Sequence, residues 1–135
     1  YDLSFAPENP RIQPEEENFT DWLFVYFKPG TEEKVQALGK KWKAIYKSKN
    51  LNHPYQVWIG DFGTEGPVRC FVDAGKNAVD YHTQWAEMEK VMGKEQEELW
   101  AEMAKYIRRT EHKTGRSRPD LSMIPFSERR PATTQ

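Results

Sequence analysis

Among the ionisable side chains of this chain, His82 is the foremost candidate for acid–base chemistry. The chain has three histidines, and His82 adjoins an apolar helical stripe that contains Tyr81 and Trp85. His53 precedes a proline and His112 stands among polar residues, which indicates surface positions for both. An imidazole near a pocket can transfer a proton or bind haem iron. We take His82 as the candidate catalytic residue, although a half-buried helix histidine with no chemical role is the commoner case.

A second group of residues suits the walls of a pocket. Aromatic side chains with a few polar groups can bind an aromatic molecule and hold an ionised phenol. The residues that we assign to such a pocket are Tyr26, Trp58, Arg69, Tyr81 and Trp85. The same residue types also fill ordinary cores, so the composition permits a pocket without requiring one.

Motifs of the known catalytic and metal-binding classes are absent from the sequence. There is no Gly-x-Ser-x-Gly, no His-Glu-x-x-His, no pair of cysteines and no dinucleotide fingerprint. His82 could share a metal with Asp80 or Asp73, but this spacing is typical of no known site, and we predict no metal centre. The glycine-rich segment 61–67 leads into a strand and lacks Gly-Lys-Ser/Thr, so it indicates a hairpin loop. Cys70 is the only cysteine and is predicted to be a small buried side chain.

Composition excludes several classes of protein. With 135 residues, 37% hydrophobic and 30% charged, the chain is large enough for one globular domain. A net charge of −1 argues against nucleic-acid binding through bulk charge, and no apolar run approaches the roughly 20 residues of a membrane span. The chain begins at Tyr1 without methionine, which fits a cleaved export signal or a trimmed chain; we favour export, to the periplasm or beyond.

The elements that must position these residues follow the order strand, helix, strand, strand, helix, strand. Apolar alternation predicts strands over 22–27, 55–59 and 68–72. Helical spacing predicts one helix to about Ser48 and a longer one from Asn77, which Gly93 divides. The polar segment 109–114 is predicted to be an edge strand, and the alternative is an extension of the second helix to Thr114. The order predicts an α+β fold: a ferredoxin-like βαββαβ antiparallel sheet with two helices on one face.

Both faces of that sheet carry large side chains, which predicts an assembly. One set is aliphatic, namely Leu23, Val25, Phe27, Val57 and Ile59. The other is aromatic and polar, namely Trp22, Phe24, Tyr26, Gln56, Trp58, Arg69 and Phe71. Two helices cover only one face, and an exposed apolar face of several hundred Å² is unusual for a monomer. We therefore predict a homodimer in which two sheets pack face to face.

The chain divides into three predicted segments. Residues 1–18 contain Pro7, Pro10 and Pro14 and are predicted to form an extended N-terminal arm, whose apolar side chains could dock on the body or on a partner. Residues 19–122 form the ferredoxin-like domain. Residues 123–135 are predicted to be a flexible C-terminal tail.

The element order, the long second helix ending in Trp100 and Tyr106, and the closing stretch 115–122 resemble the dimeric α/β-barrel superfamily of ferredoxin-like fold. Its members include antibiotic-biosynthesis monooxygenases, haem-degrading monooxygenases and NIPSNAP-like proteins. The resemblance covers about residues 20–122 and implies a dimer with one pocket per subunit between sheet and helices. Haem-degrading members use a helix histidine, a tryptophan and an asparagine; here His82 and Trp58 or Trp22 match two of these, and the first strand has no asparagine.

Three functions from different classes remain open. The first is a dimeric protein that binds a small apolar or aromatic molecule. The second is a cofactor-free or haem-linked monooxygenase or isomerase, which predicts a cavity that holds His82 and a second polar group. The third is a structural or assembly module, in which the arm and the basic segment 105–130 bind partners and no cavity exists.

Overall fold

The computed structural model describes residues 3–61, 63–118 and 121. The elements in chain order are β1 (Phe19–Phe27), α1 (Glu32–Ser48), β2 (Gln56–Ile59), β3 (Val68–Gly75), α2 (Ala78–Ala104) and β4 (Ile107–Arg116). The four strands form one antiparallel sheet in the order β2-β3-β1-β4. This is the ferredoxin-like βαββαβ fold that the sequence predicts. No helix in the described ranges is long and apolar enough to cross a membrane.

The core lies between the sheet and the two helices. One cluster joins Val25 and Phe27 of β1 to Val35 and Leu38 of α1 and to Met103 of α2. These side chains come from three elements and share one buried cluster, so both helices cover the same face of the sheet. The aliphatic half of β1 therefore packs as its alternation predicts.

The strand register corrects our grouping of Arg69 and Phe71. In the antiparallel pairing of β1 and β3, Leu23 lies opposite Phe71 and Val25 lies opposite Arg69. Directly opposite residues project from the same face of a sheet. Arg69 and Phe71 therefore belong to the helix-covered face, and placing them with Trp22 on the aromatic face was wrong. Alternation within one strand does not fix its register against a neighbour, and a shift by one residue exchanges the faces.

The last segment is a strand, and the alternative of a continued helix is wrong. β4 pairs with β1 from Ile107 opposite Phe27 to Arg116 opposite Phe19, and Gly115 lies within it. The N–H and C=O groups on this side of β1 would otherwise have no partners, and the pairing satisfies them. Helix α2 ends before it, at Ala104.

Helix α2 is divided at Gly93, as the sequence indicates. The side chain of Asn77 caps its N-terminus by accepting a hydrogen bond from the Asp80 amide at 2.8 Å. At Gly93 the backbone has φ +55° and ψ −135°, which breaks the helix into two halves. A side chain rarely tolerates these angles, so glycine is required here by the backbone itself.

The N-terminal arm docks on the body of the same chain. Leu3, Phe5 and Ile12 are buried, and Phe5 exchanges two backbone hydrogen bonds with Tyr55 at 2.9 and 3.0 Å. The Arg11 guanidinium lies 2.6 Å from both carboxylate oxygens of Asp80. The arm therefore contributes to the core. Its separation from the domain at residue 18 stays a prediction, and the predicted tail 123–135 lies outside the described residues.

Candidate functional site

A cavity of about 560 Å³ lies between the sheet and the helices. Strands β1, β3 and β4 form its floor, and α1 and α2 form its walls. Its principal aromatic side chains are Trp42, Tyr46, Tyr55, Phe71, Tyr81, Trp85 and Trp100. Its polar and ionisable side chains are Asp21, Asp73, His82, Glu89, Gln96, His112 and Thr114. The divided helix α2 contributes to the wall on both sides of Gly93.

Two carboxylates lie side by side at the polar end of the cavity. Asp21 of β1 is directly opposite Asp73 of β3, so both project toward the helices. The Tyr81 hydroxyl is within hydrogen-bonding reach of both carboxylates, and the Trp85 indole N–H donates to Asp73 Oδ2 at 2.9 Å. A hydroxyl has one proton and donates it to one carboxylate at a time, so the second carboxylate keeps acceptor capacity for a ligand.

The environment of Asp73 favours its neutral form. Burial raises the pKa of this carboxyl to about 6, and the nearby charge of Asp21 adds to the rise. The hydrogen bonds from Trp85 and Tyr81 oppose the rise without cancelling it. Asp73 can therefore gain or lose a proton near neutral pH, which is the property of a general acid or base.

The tyrosines around this end are held in their neutral form. Burial raises the pKa of Tyr46, Tyr55 and Tyr81 above the ordinary value, and the charge of Asp73 adds to this at Tyr46 and Tyr81. The rings of Tyr46 and Tyr55 meet edge to face at 5.0 Å. Tyr55 is only 8% exposed, and its hydroxyl has no hydrogen-bond partner among the described residues. An unpaired buried hydroxyl beside a cavity is available to a ligand.

The two histidines of the cavity lie at its rim. His82 is exposed, and the centroid of its ring lies 5.2 Å from that of Tyr81 and 6.2 Å from that of Phe19. No hydrogen bond joins its imidazole to another residue in the described part of the chain. His112 of β4 is also exposed, and its Nδ1 lies 3.7 Å from Asp21 Oδ1. A protonated His112 would therefore attract Asp21 through a weak, solvent-screened ion pair.

The structure brings together three of the six predicted site residues. His82, Tyr81 and Trp85 line the cavity, whereas Tyr26, Trp58 and Arg69 do not. Tyr26 lies on the opposite face of the sheet, where the Arg109 guanidinium stacks 3.7 Å from its ring centroid. Trp58 lies on that same face and is 58% exposed. Because Arg69 lies outside the cavity lining, it cannot serve there as the cation for an ionised phenol.

Sequence reasoning missed Asp21 and considered Asp73 only as a possible metal ligand beside His82, so it did not predict the carboxylate pair of the polar end. Asp21 is in phase with Leu23, Val25 and Phe27, and Asp73 is in phase with Phe71. A charged residue at a core-facing position of a strand indicates a functional site, because burying an unpaired charge is costly. In the described residues, no group of three histidine, cysteine or acidic side chains could hold a metal ion.

No protein-family model matches the chain, and a comparison with curated proteins finds no match. Solved structures do share its fold. A NIPSNAP family protein of unknown function from Agrobacterium tumefaciens is 14% identical with a TM-score of 0.60, over 76% of this chain and 89% of that one. A second NIPSNAP family protein from that organism is 11% identical with a TM-score of 0.61, over 85% and 97%. A dimeric ferredoxin-like protein from an uncultured marine organism is 15% identical with a TM-score of 0.53, over 78% and 92%. Identities this low establish a common fold and nothing finer.

Proposed function

We propose that the protein binds a small, largely aromatic molecule in the cavity between its sheet and helices, and that it does so as a homodimer. The observation that carries the proposal is the cavity itself, about 560 Å³ with aromatic walls and a polar end. Small-molecule sites are commonly about 300–1,000 Å³, mostly apolar, with a few polar groups that orient the ligand. The alternative of a structural or assembly module predicts a protein without such a cavity.

The outer face of the sheet supports the homodimer. Trp22 is 45% exposed and Trp58 is 58% exposed on this face, and Phe24 and Tyr26 lie beside them in β1. Large aromatic side chains gathered on one exposed face are typical of the centre of a protein interface. The dimeric ferredoxin-like protein has the same fold, so a paired assembly is compatible with this architecture. A second copy packed on this face would leave the cavity, which lies on the other face, accessible.

A second candidate function is a proton-transferring enzyme such as an isomerase. The raised pKa of Asp73, beside the cavity and within reach of Tyr81, favours this class. Asp73, rather than His82, would then exchange the proton with the ligand, because Asp73 lies at the polar end and His82 is exposed at the rim. The charge of the neighbouring carboxylate, Asp21, would help to hold the pKa of Asp73 closer to neutral pH.

The haem-linked alternative is not favoured by the cavity lining. Haem carries two carboxylates of its own, and the wall already presents Asp21, Asp73 and Glu89. No lysine or arginine in the described part of the chain lines the cavity to receive them. His82 lies at the rim, and no described residue forms a hydrogen bond that would orient its imidazole, as haem-ligating histidines usually have.

Binding can be tested with a neutral aromatic probe and two matched variants. Isothermal titration calorimetry with 2-naphthylmethanol should show saturable binding of one molecule per subunit. Thr114→Trp places a large ring in the cavity and should abolish it, whereas Thr110→Trp adds the same ring on the same strand outside the cavity and should not. Equal binding by both variants would contradict the assignment of the cavity.

A further inference from the structure

We infer that the cavity is built for a positively charged ligand: an aromatic or apolar amine whose ammonium group lies between Asp21 and Asp73. This inference rests on the proposed function, because it names the chemical class of the molecule bound there. It is carried by the charges of the cavity lining, by the pairing of the two carboxylates and by an unpaired hydroxyl in the aromatic wall.

The charges around the cavity have one predominant sign. Asp21, Asp73 and Glu89 line it, and no lysine or arginine in the described ranges does so. Of the described basic residues, His82 and His112 line it, and both are exposed at the rim. The interior of the cavity therefore has a negative potential, which attracts cations and repels anions.

The carboxylate pair has the arrangement that an ammonium group requires. Asp21 is 6% exposed and faces Asp73 directly across the β1–β3 pairing. Two buried like charges repel each other, and a cation between them relieves that repulsion. An ammonium group donates three hydrogen bonds and accepts none, whereas the carboxylates supply only acceptors. The Tyr81 hydroxyl has a single proton and can donate it to only one of them at a time, which leaves the remaining oxygens for the ligand.

The wall around this end adds favourable contacts for a cation. The negative faces of tryptophan and tyrosine rings attract ammonium groups within about 6 Å of the ring centroid. Trp42, Tyr46 and Trp85 line the same cavity. Tyr55 is buried and lines it too, and its hydroxyl oxygen is unpaired among the described residues and can accept a hydrogen bond. Tyr55 is therefore an uncharged acceptor in the wall of the cavity.

A ligand of the opposite charge would be disfavoured by the same groups. A carboxylate or phenolate at this end would meet Asp21 and Asp73, and no lysine or arginine among the described lining residues would compensate its charge. Burying a charge without a partner costs several kcal/mol in general. A neutral alcohol would be tolerated, because it can donate one hydrogen bond to the pair.

The test compares three probes that differ only in the charge of one group: 2-naphthylmethylammonium, 2-naphthylmethanol and 2-naphthoate. Calorimetry at about pH 7.5 should show the ammonium binding at least about tenfold more tightly than the alcohol, and the naphthoate more weakly than the alcohol. Asp21→Asn and Asp73→Asn should each reduce the preference for the ammonium over the alcohol. Glu98→Gln, which removes an exposed carboxylate of α2 outside the cavity, should leave it unchanged.

The results distinguish failure of this inference from failure of the proposed function on which it rests. If the alcohol or the naphthoate binds as tightly as the ammonium, the charge preference is overturned and the binding function stands. If none of the three probes binds, the proposed function falls and this inference falls with it. The order of affinities in the unaltered protein suffices for the decision, so a variant that fails to fold does not remove the test.

Discussion

Asp21 and Asp73 lie directly opposite each other on two central strands, with the Tyr81 hydroxyl within reach of both. Cross-strand pairs of like charge are unfavourable for the sheet. Here they stand on the core-facing side, at the end of a large cavity, where water screens them poorly. The arrangement costs folding stability and provides acceptors for a ligand. Sites that bind or react commonly retain such strain while the rest of the fold compensates for it.

The first prediction concerns the pH dependence of stability at Asp73. Its pKa is raised to about 6 in the folded state from 3.8, so the folded protein holds the proton more tightly than the unfolded chain. Between these two values the folded state binds more protons, and its stability therefore falls as pH rises. Ionisation of Asp73 therefore lowers the free energy of unfolding by about 2–3 kcal/mol, from the size of the pKa shift. This loss is complete above about pH 6 and absent below about pH 4.

Asp73→Asn removes this ionisation. The change in the free energy of unfolding that it causes should therefore be more favourable near pH 8 than near pH 3.5. Chemical denaturation at the two pH values measures the difference. Asp21, Tyr46 and Tyr81 face Asp73 from β1, α1 and α2, and the two tyrosines stay neutral at both pH values because their pKa values are raised. A stability difference that does not change with pH would contradict the raised pKa.

The second prediction concerns the N-terminal arm. The ion pair between Arg11 and Asp80 is mostly buried, with 10% and 21% of the two side chains exposed. Arg11→Gln removes a charged partner from a half-buried carboxylate and should lower the free energy of unfolding by about 1–3 kcal/mol. Lys105→Gln, which breaks the exposed pair with Glu102, should change it by less than about 0.5 kcal/mol. Equal losses in urea denaturation would show that burial of the Arg11 pair contributes nothing.

The third prediction concerns the break in α2. A Cβ at Gly93 would meet no atom within 4 Å, so Gly93→Ala introduces no clash. Its φ of +55° is nonetheless strained for alanine, and the substitution should cost about 1–3 kcal/mol. Gly115→Ala in β4, where the added Cβ makes only an ordinary contact with Thr20 Oγ1 at 3.5 Å, serves as the control. If Gly93→Ala is neutral in thermal denaturation, the break does not require glycine.

The fourth prediction concerns the homodimer. Trp58 is 58% exposed within one chain, so Trp58→Ala should change the stability of the monomer by less than about 1 kcal/mol. At the centre of a dimer interface the same truncation should raise the dissociation constant at least about tenfold, measured by sedimentation equilibrium. Val79→Ala, at an exposed position of α2 away from that face, should leave the dimer unchanged. An unchanged dissociation constant for Trp58→Ala would exclude this face from the interface.

The fold was accessible from the sequence because its elements carry strong local signals. Alternation in β1, helical spacing in α1 and α2, and Gly93 within α2 each indicate the observed element. The register of β3 was not accessible, and the faces of Arg69 and Phe71 were misassigned for that reason. Register depends on which residues of two strands meet, which one strand alone does not record.

The candidate site was only half accessible. Trp85 lies four residues after Tyr81 and three after His82 on one helix, so one local prediction brings all three to the cavity. Asp21 and Asp73 are 52 residues apart and meet only through strand pairing. The cavity residues of β4 are brought in by pairing with β1, and those of α1 by packing of the helix on the sheet. The approach of distant segments is a property of the tertiary fold. The local sequence shows only that each carboxylate occupies a core-facing position in the alternation of its strand.

The most direct test of the binding site is a ¹H–¹⁵N NMR titration of the five tryptophan indole groups with the neutral probe 2-naphthylmethanol. Trp42, Trp85 and Trp100 line the cavity, and Trp22 and Trp58 lie on the opposite face of the sheet. We predict that the first three indole signals shift in a saturable manner, with Trp85 affected most because its N–H donates to Asp73, and that Trp22 and Trp58 stay in place. Shifts confined to Trp22 and Trp58, or no shift at any indole, would contradict the assignment of the cavity as the ligand site.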